Sequence, residues 1–151
     1  MTVPLGLSVL FLTLVGLYVA SAQHGISEDW LIVVVAAIVG GYMALNIGAN
    51  DVANNMGPAV GGKVLTVMSA ILIAAVCESA GALLAGGDVV KTVSKGIISP
   101  GEDISVGEFR DLMLSALFAA ALWINLATIM SAPVSTTHSI VGGVLGAGIA
   151  A

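Results

Sequence analysis

Four long apolar runs dominate the chain: residues 3–22, 30–50, 64–87 and 112–132, uncharged except for Glu78 in the third. Each is long enough for a membrane-spanning helix, because about 20 residues rising about 1.5 Å apiece cover roughly 30 Å of hydrocarbon. A fifth apolar stretch, 133–151, forms the tail. None alternates apolar with polar residues as a barrel strand must, and a helix is the other structure that satisfies its own backbone in lipid. The pattern therefore predicts an all-α, polytopic membrane protein with four transmembrane helices and a fifth helical segment. Residues 23–29, 51–63 and 88–111 read as connections, the last with three bases and five acids. The first run has no Lys or Arg ahead of it and exceeds the usual signal-peptide core, so it reads as an uncleaved helix despite Ala20-Ser21-Ala22. Basic residues put 88–111 on one side and Lys63 on the other, three against one, which leaves the orientation open.

Composition sharpens this picture. Hydrophobic residues make up 58% of the 151 and charged ones 9%, against roughly 25% in a soluble domain, and a water-soluble globule is excluded. Nine acids against four bases give a net charge of −5, so there is no basic patch for nucleic acid. Cys77 is the one cysteine, which rules out an intrachain disulfide and suggests a packing role.

Polar side chains inside apolar runs are costly and mark functional positions or interhelical glue. Three groups qualify. In Gly48-Ala49-Asn50-Asp51-Val52-Ala53-Asn54-Asn55-Met56-Gly57-Pro58, the helix begun near Trp30 meets a carboxylate and three amides before Gly57-Pro58 is expected to stop it. Asn50/Asn54 and Asp51/Asn55 are i,i+4 pairs, so their oxygens can converge as hard ligands for a cation such as Na⁺. Flanking glycines would permit unwinding that bares backbone carbonyls; a hydrated helix end is the plainer alternative. Glu78 is the second group, with fourteen uncharged residues before it and nine after it. It must be protonated, paired, or facing a watery cavity, unless it simply bonds a neighbouring helix. The third is Pro133-Val134-Ser135-Thr136-Thr137-His138, where Pro133 is expected to open a helix with Ser135 in its first turn. Free amides beside hydroxyls at a helix N-terminus form an anion site, and at membrane depth they resemble the half-helices of transporters. A Ser/Thr cap with a packing histidine is the alternative, and Gly142, Gly143, Gly146 and Gly148 suggest close helix contact. An anion near Asp51 and Glu78 would be repelled unless cations or protons neutralise them, so the two species should bind together.

The segments GANDVANNMGPAVGG (48–62) and APVSTTHSIVGG (132–143), with a glutamate-bearing helix between, resemble the paired signatures of the inorganic phosphate transporter (PiT) family of cation–phosphate symporters. The resemblance spans roughly residues 30–151, the first PiT-type repeat, with 1–29 as an extra N-terminal helix and loop. It implies two inverted-topology repeats, of which this chain is one half, and a re-entrant hairpin around Pro133. Phosphate would be bound by Ser135, Thr136, Thr137, His138 and Asn55, and the coupling cation, Na⁺ or H⁺, by Asn50, Asp51, Asn54 and Glu78. Asp51 and Asn54 would hold the metal if the ion is Na⁺. No cofactor is implied beyond the transported ions. The partners implied are phosphate, the cation, the bilayer of the cell (inner or plasma) membrane, and a second repeat from another copy or a companion chain. Asn55-Met56-Gly57-Pro58-Ala59 departs from the family's small and hydroxyl residues, and the length points to a fragment, an interrupted product, or a pairing half. The function expected is therefore phosphate symport rather than enzymatic. Sulfate transport, a non-transporting membrane subunit, and an intramembrane hydrolase using Ser135, His138 and Asp51 are the other readings.

Overall fold

Uninterrupted apolar sequence becomes helix here because nothing else satisfies the backbone in lipid. The computed structural model describes residues 2–26, 28–95 and 104–150. They form α1 (Thr2–Gln23), α2 (Trp30–Gly61), α3 (Val67–Lys95), α4 (Val106–Ile129) and α5 (Thr136–Ala150). The first four are long and apolar enough to cross a membrane. The described part of α5 is 15 residues, about 22 Å long.

Side-chain contacts give the helix directions. A Cβ added at Gly16 would meet Ile38, and one at Gly41 would meet Leu12, so α1 runs antiparallel to α2. Hydrogen bonds join Asn46 to Asn125 and Asn50 to Thr128 at almost constant sequence separations of 79 and 78, so α2 and α4 are parallel. Between them α3 returns, with Val67 and Ala70 beside Met56 and Val60 at its start and Val93 beside Ile32 and Val33 at its end. Finally α5 folds back along α4, where Gly143 lies so close to the Ala116 carbonyl that a Cβ would come within 2.7 Å of it. The buried cluster of Met43, Ala120, Ala121 and Ile124, flanked by Tyr42, Ile47, Leu117 and Ile140, marks where α2, α4 and α5 meet. Most other large apolar side chains are exposed, Leu83 and Leu84 at 87% among them, as expected where hydrocarbon is the solvent.

The helix ends are built from local chemistry. Ser105 accepts from the Glu108 amide while Glu108 accepts from the Ser105 amide, a reciprocal box that opens α4. Thr66 and Ser69 make the equivalent exchange at the start of α3. At their C-termini, α2 and α4 share one device. Val64 bonds back to Ala59 and Lys63 to Val60, and likewise Ala132 to Ala127 and Ser131 to Thr128. These are Schellman turns, with Lys63 (φ 59°) and Ser131 (φ 54°) in the left-handed position.

Several expectations are corrected. Gly57-Pro58 does not stop α2, which runs on to Gly61 with Pro58 inside its last turn and no unwinding at the flanking glycines. A proline there forfeits a single bond, the one its absent N–H would give to the Asn54 carbonyl. The expected connection 51–63 therefore shrinks to 62–66, and much of 88–111 is helical, because α3 continues to Lys95 and α4 begins at Val106. Residues 96–103 of that connection lie outside the described residues. Pro133 does not open α5: the left-handed turn at Ser131 delivers residues 132–135 as a non-helical link, and Ser135 caps the helix instead. Cys77 is exposed on α3 rather than packed.

Candidate functional site

Asn46, Asn50 and Asn54 lie one turn apart on α2 and form a stripe facing α4 and the link to α5. Asn54 Nδ2 donates to Asn50 Oδ1 at 2.8 Å and to the Val134 carbonyl at 3.4 Å. Asn50 Nδ2 donates to Thr128 Oγ1 at 3.3 Å, and Asn125 Nδ2 to Asn46 Oδ1 at 2.8 Å. On the neighbouring row of α2, Asp51 accepts the Thr136 hydroxyl at 3.1 Å through Oδ2. A carboxylate from the middle of the chain is thus joined to the first residue of a half-helix 85 positions away. Asn50 and Asn54 are joined as their spacing predicts, Asp51 bonds Thr136 instead of either, and Asn55 is exposed with no side-chain hydrogen bond among the described residues.

At the opening of α5, Ser135 Oγ accepts the His138 amide at 3.3 Å and lies 2.7 Å from His138 Nδ1. The Thr136 and Thr137 amides have no protein acceptor among the described residues, as expected at a helix start. Two free donors, the hydroxyls of Thr136 and Thr137, and the positive end of the helix dipole form a setting for a tetrahedral oxyanion. Thr137 and His138 are exposed. Asp51 bonds Thr136 and not His138, so the Ser135–His138 pair lacks the orienting carboxylate that a hydrolytic triad requires.

Asp51 lies on the row of α2 beside the hydrogen-bonded Asn50–Asn54 pair, and one turn further on Pro58 has no N–H to give the Asn54 carbonyl. Among the described residues no three His, Cys, Asp or Glu side chains gather as a metal cluster. One carboxylate with amide and carbonyl oxygens matches a hard monovalent cation better than a transition metal. Glu78 is exposed and has no hydrogen bond or ion pair among the described residues. It stands eleven residues beyond Val67 and Ala49 eleven before Val60, so in antiparallel helices of equal rise it shares the depth of Asn50 and Asp51 without touching them.

Asn46, Asn125 and Thr128 belong to this polar seam although their chemistry was not singled out from sequence. The signal was there: Asn46 extends the Asn50/Asn54 stripe by one turn, and Asn125/Thr128 is an i,i+3 polar pair within an apolar run.

Fold and site together define an integral, multi-pass membrane protein with an oxygen-rich polar centre at the mouth of a half-helix. Residues 47–151 match the phosphate transporter family, and the chain belongs to that family. It is 49% identical over 151 residues to a Helicobacter pylori J99 protein carrying the provisional name phosphate permease, covering 99% of this chain and 28% of that protein. Proteins of the same provisional name from Mycobacterium bovis and Haemophilus influenzae are 50% identical over 127 residues and 48% over 126, each covering 83% of this chain and 23% and 29% of theirs. The chain therefore spans less than a third of the length of these relatives. No solved structure matches it.

Proposed function

We propose that this chain provides the phosphate- and cation-binding half of a symporter in the cell membrane, coupled to Na⁺ or H⁺. The observation that carries the reading is the 3.1 Å bond between Thr136 and Asp51, a carboxylate on a membrane-spanning helix against an anion-suited helix start. Phosphate is held by the Thr136 and Thr137 amides and the hydroxyls of Ser135, Thr136 and Thr137, with His138 completing its shell. The cation sits on Asp51 with Asn50 and Asn54, and Glu78 contributes from the same depth. Burying either sign alone costs several kcal/mol, so each ion offsets the penalty of the other and binding becomes mutual. Residues 30–151 act as one repeat and 1–29 as an added helix. A second, inverted repeat supplies the opposing wall against which the two halves rock, as in other inverted-repeat carriers. The relatives' shared name supports phosphate as the substrate.

The test is uptake of radiolabelled phosphate into proteoliposomes holding this chain, under separately imposed Na⁺ and proton gradients. Gradient-driven uptake that sulfate does not compete away is expected, and the effective gradient identifies the ion. Well-inserted protein that neither binds phosphate alone nor takes it up under either gradient once a second repeat is supplied contradicts the reading.

A further inference from the structure

The seam between α2 and α4 extends away from the ion-binding residues. Asn46 is 6% exposed and Asn50 5%. Asn46 Nδ2 donates to the Tyr42 carbonyl while its Oδ1 accepts from Asn125, and the Thr128 hydroxyl donates to the Ile124 carbonyl while its oxygen accepts from Asn50. Each side chain is thus tied to its own helix and to the opposite one. The surrounding contact surface sets the small Ala120 and Ala121 beside Met43 and the fully buried Ile124, all apolar. Apolar packing in lipid has little axial preference, because sliding exchanges one apolar contact for another. The amide rungs do have one. A slide of one residue moves α2 by about 1.5 Å and breaks both rungs, while a slide of one turn, about 5.4 Å, strands Asn125 and carries Asp51 away from Thr136.

We infer that Asn46, Asn125 and Thr128 are positioning residues: their interhelical hydrogen bonds set the axial register of α2 against the α4–α5 hairpin, and thereby the spacing of Asp51 from Thr136. None of the three touches an ion. The inference rests on the reading of Asp51 and Thr136 as the binding pair, but the register itself can be measured without that reading.

Two readouts on the intact chain in proteoliposomes decide it. The first is crosslinking, in a Cys77→Ser background, of Met43→Cys with Ala121→Cys, a pair at the seam's separation, against Met43→Cys with Leu117→Cys, one turn out of step. With the rungs intact, the matched pair should crosslink in strong preference. In Asn46→Leu/Asn125→Leu, where both partners become apolar and the helices can still pack, that preference should fall toward equality. The second readout is the dissociation constant for radiolabelled phosphate. It should weaken about tenfold or more in the double leucine variant and in Thr128→Val, since misplacement by about 1 Å in a positioned site costs up to about 100-fold. Thr128→Ser, which keeps the hydroxyl, should restore it. Unchanged crosslinking in the double variant overturns the register claim. Altered crosslinking with unchanged phosphate affinity overturns the positioning claim, as does failure of Thr128→Ser to rescue. If the unmodified chain binds no phosphate, the proposed substrate falls, and the crosslinking ratio alone decides the register.

Discussion

At the residue scale, the Thr136–Asp51 bond joins two kinds of chemistry. The Thr136 hydroxyl has one proton, so it would leave Asp51 to donate to an oxyanion, freeing the carboxylate to hold a cation. Thr136→Ala is therefore expected to weaken phosphate binding at least tenfold and Thr136→Ser to retain most of it, as measured with radiolabelled phosphate. Equal losses in both would assign the threonine to folding. Asp51→Asn keeps the shape and removes the charge, so insertion should persist while dependence on the cation disappears. Two other residues bear strain unrelated to the ions. Lys63 and Ser131 occupy left-handed backbone at φ 59° and 54°. Glycine at either should raise stability by about 1 kcal/mol, seen as a higher unfolding temperature in detergent. At this scale the polar residues of the seam and the α5 start were legible wherever a polar side chain interrupted an apolar run. Asn50, Asp51, Asn54 and Thr136 come together because each can satisfy its hydrogen-bonding groups across a helix boundary. Asn55 and Thr137 face outward, since a polar pattern does not say which row of a helix meets its neighbour.

At the element scale, the two helices that build the site are shaped by their prolines in different ways. Pro58 lies within α2 and withholds an N–H from the Asn54 carbonyl, whereas Pro133 lies in the link that lets α5 begin afresh at Thr136. Pro58→Ala is therefore expected to move two observables in opposite directions: the protein becomes more thermostable and its cation affinity falls. A fall in stability would show that the proline's ring packing outweighs the missing bond. Gly143 is the contact that lets α5 lie against α4, and Gly143→Ala drives a methyl into the Ala116 carbonyl. A cost of about 1–3 kcal/mol is expected, with loss of phosphate binding as the half-helix shifts. The spans themselves were readable from run length alone, but the extent of α2 was not. Asp51, Asn54 and Pro58 look like breakers in sequence, yet the amides find partners on α4 and the link, and the helix continues through them. The start of α5 was misplaced by three residues because the turn that ends α4 depends on a left-handed serine, which sequence rarely advertises.

For the whole molecule, the arrangement of parallel α2 and α4 with a half-helix folded back between bilayer and core leaves a polar centre surrounded by hydrocarbon-facing helices. Arg110 pairs with Asp29 at 3.0 Å, tying the start of α4 to the turn before α2, so these charges mark one membrane face and Lys63 the other. Glu78 shares the depth of the centre yet stands exposed on α3, with no side-chain partner among the described residues. If, as proposed, anion and cation bind as one unit at Asp51 and Thr136, linkage makes each strengthen the binding of the other. The most direct test is the dissociation constant of radiolabelled phosphate for the reconstituted chain, titrated against Na⁺ and against pH, in the unmodified protein and in Asp51→Asn. The account predicts affinity that strengthens with Na⁺ or with acidification in the former and is flat in the latter. Phosphate binding in the unmodified chain that ignores both Na⁺ and pH would contradict it.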